Sequence, residues 1–254
     1  MKFLARFQAI KDEHKALVVR KLMQSSTPDF DFFYLTGLSV LMATFGLLIN
    51  SAAIVIGSML IAPVLYPVLG VALGLVMSNG AVLQRSLMAL IKGLIIGIGF
   101  AALATLLFGE PGNVTYEILL RTESSLISIV VAIVAGLAVS FALAQPEWSE
   151  TLPGVAISVA LIPPLAVVGI GIAWVNIDII TGSLLLLLVN IAGIVFAAMV
   201  SFSLMNLHEK RAIAESTIRK EDIRIEKEEE DIEKIVEGDE EEQEKVHETK
   251  SHEK

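Results

Sequence analysis

Six stretches of almost uncharged apolar residues, each long enough to cross a lipid bilayer, dominate this sequence. They cover residues 32–49, 51–77, 87–108, 124–143, 152–174 and 179–205 of the 254-residue chain. An apolar helix of about 20 residues spans the hydrocarbon layer, and backbone groups in lipid must hydrogen-bond within the protein. The stretches are rich in glycine and alanine and lack the alternating polarity of barrel strands. The sequence therefore predicts an all-α polytopic membrane protein with six transmembrane helices.

Charge is concentrated at the carboxyl-terminal end of the chain. Apolar residues make up 54% of the sequence and charged residues only 19%, whereas soluble domains average about 45–50% and about 25%. Of the 28 acidic residues, 18 follow residue 206. We therefore expect three regions: an amino-terminal arm over residues 1–31, a six-helix membrane domain over 32–206 and an acidic tail over 207–254.

The two terminal regions have helical patterns of their own. In the arm, apolar residues recur at near-helical spacing among basic ones: Phe3, Phe7, Ile10, Leu17 and Leu22. This pattern predicts an amphipathic helix at the membrane surface, and a short solvated arm is the alternative. In the tail, Ile218, Ile225 and Ile232 lie seven residues apart, which favours a helix or weak coiled coil. From Gly238 onward the charge-rich composition predicts disorder.

Basic residues in the short connections predict the orientation, because cytoplasmic loops are enriched in lysine and arginine. The arm holds six of them, and with the arm inside, Arg85, Lys210 and Arg211 also fall inside, while Arg121 falls outside. We expect a multi-pass cell-membrane protein with both termini cytoplasmic. The charged start of the chain does not fit a cleavable signal peptide, and the absence of cysteine excludes disulfides and thiolate metal sites.

Prolines occur well inside two of the six apolar stretches. The second stretch contains Pro63 and Pro67, and the fifth contains Pro163 and Pro164. An interior proline costs a regular helix about 3 kcal/mol or more, so both helices are predicted to break near mid-membrane. Each of these helices is the second in a group of three. Because each group crosses the membrane an odd number of times, the two groups have opposite topologies. The pattern predicts a 3+3 inverted repeat, with repeat one over 32–108 and repeat two over 124–206, as in transporters; simple structural kinks are the alternative.

The two proline segments resemble a known family. The stretch NSAAIVIGSMLIAPVLYPVLGVALGL, beginning at Asn50, and the stretch LPGVAISVALIPPLAVVG, beginning at Leu152, are similar to the uncharacterised hydrophobic membrane proteins of the domain of unknown function 389. The likeness covers roughly residues 32–205. It implies a membrane location and no established activity.

Charged residues are almost absent from the apolar stretches. Lys92 is the one ionisable residue there, and it either extends its ammonium toward the membrane surface or attracts anions in an inner vestibule. Asn190 and the serines at 58 and 158 either bind neighbouring helices or complete a solute site. The predicted substrate-binding residues are Ser58, Pro63, Pro67, Lys92, Ser158, Pro163, Pro164 and Asn190.

The missing residues narrow the function. No Asp or Glu lies in any of the six stretches, and all four histidines lie outside them, so we expect no carboxylate proton relay, catalytic site, metal or cofactor. The acidic tail would be repelled by nucleic acid. The sequence predicts a transporter or channel-like permease for a small polar or anionic solute. The alternative is an oligomeric membrane scaffold or sensor that acts through its tail, and a homo-oligomer is expected.

Overall fold

The computed structural model describes residues 11–144 and 152–252, with the side chains of 152–160, 229 and 236–252 outside the description. The described residues are helical and contain no strand. The helices are α1 (Asp12–Ser25), α2 (Phe30–Leu48), α3 (Ala52–Met59), α4 (Leu65–Val76), α5 (Gly80–Phe108), α6 (Tyr116–Leu119), α7 (Leu126–Leu143), α8 (Leu152–Ala173), α9 (Ile177–Leu204), the 3-10 helix Leu207–Lys210 and α10 (Arg211–His252).

Four helices of the described chain, α2, α5, α7 and α9, are long and apolar enough to cross a membrane. Their outer faces carry large exposed apolar side chains, such as Leu126 on α7 and Ile95 on α5, which is typical of a membrane protein. The predicted second transmembrane helix is divided into the shorter helices α3 and α4. The predicted fifth corresponds to α8, whose described side chains begin at Leu161. Length and composition thus identify four candidate spans among the described residues, and the predicted six are not confirmed.

Three helical hairpins share one connection. The helices α2, α4 and α8 each end before a residue with positive φ: Asn50 (57°), Ser78 (47°) and Val175 (54°). The following residue donates its N–H to a glycine carbonyl, in the pairs Ser51–Gly46, Asn79–Gly74 and Asn176–Gly171, at 2.8–3.0 Å. This is the Schellman arrangement. The glycine also admits the next helix, since a Cβ atom at Gly74 would lie 2.7 Å from the Leu83 nitrogen.

Helix α8 lies at the centre of the bundle. It contacts α2, α3, α4, α5, α7 and α9, and every residue from Leu161 to Ile170 is buried. A helix that is apolar on all sides is expected to be buried on all sides. Gly169 permits its closest approach to α5, because a Cβ atom there would lie 2.4 Å from the Ala101 Cβ and 2.8 Å from the Ile98 carbonyl oxygen.

Both terminal segments pack at one end of the bundle, here called the α1 end. Helix α1 packs against α4 and α10 and buries Val19, Leu22 and Met23. Lys210 pairs with Asp12 at 3.0 Å. The predicted arm residues Phe3, Phe7 and Ile10 lie outside the described residues.

Helix α10 is anchored to the α1 end by further ion pairs. Arg224 pairs with Asp29 at 2.9 Å, and Asp222 pairs with Arg85 of α5. The helix continues to His252, past Gly238, where the sequence pattern predicts disorder. Its glutamates and lysines are good helix formers, and four-residue spacing allows them to pair along the helix.

Replacing Gly169 by alanine tests the central packing of α8. The added methyl group would overlap Ala101, and overpacking a tight interior costs about 1–3 kcal/mol of unfolding free energy. The matched control is Gly99→Ala, because a Cβ atom at Gly99 has no neighbour within 4 Å. Denaturant unfolding in mixed micelles should show a loss for Gly169→Ala only; equal unfolding free energies for both variants would contradict the packing.

Candidate functional site

The break in the second apolar stretch consists of residues 60–64, between α3 and α4. Pro63 lacks an N–H and disfavours helical geometry at Ala62, the residue before it. Pro67 lies in the first turn of α4, where a backbone donor has no helical acceptor in any case. Short turns close the break, since Ile61 N donates to the Ser58 carbonyl at 3.2 Å and Tyr66 N donates to the Pro63 carbonyl at 3.2 Å. The predicted interruption of this helix is therefore confirmed.

The break leaves several backbone N–H groups without a described hydrogen-bond partner. Among the described residues, the N–H groups of Ala62, Val64 and Leu65 have no hydrogen-bond partner. All three residues are buried. A buried N–H without a partner is costly, so a site of this kind favours a ligand that accepts hydrogen bonds.

Helix α2 carries buried hydroxyl groups, one of which binds the end of α3. Ser39 Oγ donates to the Ser58 carbonyl at 2.7 Å, and Ser58 Oγ donates to the Val55 carbonyl within α3 at 2.6 Å. Thr36 lies one turn before Ser39 and is fully buried, and its hydroxyl has no partner among the described residues. Sequence reasoning missed Ser39 and Thr36; their three-residue spacing on one helical face was the available signal.

The fifth apolar stretch is not broken, contrary to the prediction. Helix α8 continues through Pro163 and Pro164, both of which are buried. Adjacent prolines have the backbone φ that a helix requires and remove two neighbouring donors within one turn. The surrounding helices hold that turn in place, whereas Pro63 and Pro67 affect two successive turns. The second half therefore lacks donors at this point but keeps its helical path.

The proline pair of α8 lies near the part of α2 that binds the end of α3. A Cβ atom at Gly97 of α5 would lie 2.9 Å from Leu165 and 3.2 Å from Val40. Leu165 directly follows the proline pair of α8, and Val40 directly follows the serine that binds the Ser58 carbonyl at the end of α3. Helix α8 also contacts both α3 and α4, the two helices that flank the break at Pro63. A common site of Ser58, Pro63, Pro163 and Pro164 stays a prediction.

The other predicted site residues lie in different positions. Lys92 is exposed on α5, together with Met88 and Ile95, and its role in an inner vestibule stays a prediction. Asn190 is buried at the middle of α9, and it has an interaction partner. The Ser158 side chain lies outside the described residues.

Charge lies at the two ends of the bundle rather than at the break. At the α1 end, the Lys210 ammonium donates a hydrogen bond to Asp12 and lowers the pKa of that carboxyl group. At the opposite end, Arg121 pairs with Glu117 at 2.9 Å. No group of three or more metal-ligating side chains occurs in the described part of the chain.

The bond between Ser39 and the Ser58 carbonyl should stabilise the break. Ser39→Ala removes a hydrogen bond between helices, and such bonds contribute about 0.6–1.7 kcal/mol in membrane proteins. Ser140→Ala is the matched control, because Ser140 is equally buried and binds a carbonyl of its own helix, that of Gly136, at 2.7 Å. Unfolding in mixed micelles should show the larger loss for Ser39→Ala, and equal losses would refute a special role for this bond.

Comparison with known proteins connects this geometry to a family. An uncharacterised protein of Methanocaldococcus jannaschii is 31% identical over 169 residues, which cover 65% of this chain and 51% of the relative. The chain therefore spans about half the length of the curated relative it matches. No solved structure gives a significant match. The family described as "Domain of unknown function (DUF389)" matches residues 59–196, which include the break and the proline pair of α8. The chain belongs to this DUF389 family.

Proposed function

We propose that this protein is a membrane transporter or channel-like permease for a small polar or anionic solute, with its site at the break and the adjacent proline turn of α8. The observation that carries the proposal is the non-helical segment of residues 60–64, in which Ala62 and Val64 are buried while Leu60 and Ile61 are exposed. Non-helical backbone at membrane depth is tolerated where it is buried in protein or lines a water-filled cavity. The free N–H groups of Ala62 and Val64 favour the second role.

The chemistry of the break favours anions and neutral hydrogen-bond acceptors. The amino-terminal end of α4 carries a partial positive charge and directs unpaired N–H groups into the break. The Thr36 hydroxyl adds a further donor. The nearby spans contain no carboxylate, so a cation would depend on carbonyl and hydroxyl oxygens alone.

The proposal includes an inverted repeat of two three-span halves, which the helix contacts support. In the first half, α2 and α4 pack on α5, and α3 packs on α2. In the second half, α7 and α8 pack on α9, and α8 packs on α7. Across the halves, α8 packs on α5 and α4 packs on α9. On this proposal the halves correspond, with six spans in total, and the site lies at their junction, as in transporters built from inverted repeats.

Orientation follows from the charges at the α1 end. The described part of the arm carries Lys11, Lys15, Arg20 and Lys21 at this end, and Arg85, Lys210 and Arg211 lie there as well. Basic residues accumulate on the cytoplasmic side, so we place both termini in the cytoplasm. The opposite end of the bundle, which carries α6, then faces the outside of the cell.

A scaffold or sensor is the second candidate function. Helix α10 is held to the α1 end by ion pairs of Arg85 and Arg224, and it carries the exposed side chains of Ile232 and Ile235 farther along. A partner, or another copy of the chain, could bind there. Protein that passes no solute but assembles through α10 would favour this candidate.

Solute passage can be measured with purified protein in liposomes. Stopped-flow light scattering follows the liposome volume after mixing with potassium chloride, potassium phosphate or urea. We expect this volume to shrink and recover faster in liposomes that contain the protein than in protein-free liposomes. Thr36→Val removes a donor of the proposed site and should lower the solute flux about tenfold or more, because a hydrogen bond to a charged partner contributes about 1.5–3 kcal/mol.

Thr44→Val is the control on the same helix. Thr44 is also fully buried, but its hydroxyl binds the Val40 carbonyl of its own helix at 2.8 Å, so its loss should leave the flux unchanged. Liposomes that pass none of the three solutes, or a flux equally sensitive to both threonines, would refute a site at the break.

A further inference from the structure

A cavity of about 420 Å³ lies between α1 and the carboxyl-terminal end of α7 at the α1 end. Its described lining combines apolar with polar or basic side chains. The apolar lining residues are Leu17, Val18, Leu143 and Ala144, and the polar or basic ones are His14, Arg20, Lys21 and Gln24. Among the described residues the lining contains no acidic side chain, so the cavity is suited to an anion with an apolar part.

The position of the cavity matches a membrane boundary. Helix α7 is apolar over its whole length to Leu143, whereas α1 carries charged residues along its length. The opposite face of α1 is fixed, because Val19, Leu22 and Met23 are buried against the bundle. The cavity therefore lies where the apolar surface of α7 ends and polar side chains begin.

The cavity offers cationic donors toward this boundary. Arg20 is exposed and makes no ion pair with a described residue. Its guanidinium can bind two oxygens of a phosphate together. Gln24, one helical turn farther on, adds amide donors.

We propose that this cavity binds one anionic phospholipid from the leaflet on the α1 side. Arg20 and Gln24 hold the phosphate group, and the first part of an acyl chain lies along Leu17 and Leu143. A soluble phosphate would leave the apolar lining residues in contact with water, which favours a lipid as the occupant. The site is separate from the break and does not depend on solute transport.

Native mass spectrometry of the full chain in detergent micelles tests the proposal, with phosphatidylglycerol and phosphatidylcholine of identical acyl chains as the probes. We expect one tightly bound phosphatidylglycerol per chain and at least fivefold weaker phosphatidylcholine. Arg20→Gln should weaken phosphatidylglycerol binding about fivefold to tenfold, as expected for one basic side chain near a lipid surface. The fold is retained because Arg20 is exposed.

Arg219→Gln is the matched control, since Arg219 is exposed on α10 and does not line the cavity; it should bind lipid like the unchanged protein. Equal binding of the two lipids, or equal effects of the two substitutions, would overturn the proposal. Full displacement of the lipid by millimolar inorganic phosphate would also overturn it, because the anion alone would then account for binding. Retained binding in Ala144→Leu, which adds bulk at the apolar lining of the cavity, would place the lipid elsewhere.

Discussion

The structure depends on hydrogen bonds to its backbone N–H and C=O groups, because these groups need partners within the protein when water is absent. A regular helix meets this need within itself, and proline prevents it from doing so. In this chain two proline pairs lie inside apolar segments, and the segment of Pro163 and Pro164 is buried from Leu161 to Ile170. At Pro63, Ala62 and Val64 are buried while Leu60 and Ile61 are exposed, and the hydroxyl of Ser39 and the short turns of residues 60–64 partly replace the lost helical bonds. The N–H groups that remain without a described partner make this break chemically distinct from a regular helix.

The two proline pairs differ in effect because their spacing differs. Pro63 and Pro67 lie four residues apart, so one ends α3 and the other fits the first turn of α4. Pro163 and Pro164 are adjacent, so their loss of donors is confined to one turn of α8, which six neighbouring helices enclose. The two proline segments consequently differ. Among the described residues, the first has N–H groups without a partner, and the second keeps a continuous helix.

Sequence reasoning identified the elements better than their side-chain directions. Apolar length predicted the helices, and proline predicted the break, because both depend on local chemistry. Helical phase leaves Lys92 exposed on α5 with Ile95, and phase relative to a partner helix is a tertiary property. Ser39 and Thr36 were missed for the same reason, since only the packing of α2 on α3 and α8 brings that face to the break. The continuity of α8 likewise depends on neighbours that the sequence does not specify locally.

The central claim, that solute and water reach the break, can be measured directly because the natural chain has no cysteine. Single variants Ala62→Cys and Ala72→Cys make the same chemical change at two buried positions, one in the break and one inside α4. Membrane vesicles would be treated with an anionic, membrane-impermeant methanethiosulfonate, and labelling of each cysteine followed over time. The account predicts labelling at position 62 and protection at position 72. Equal protection of both cysteines would contradict it.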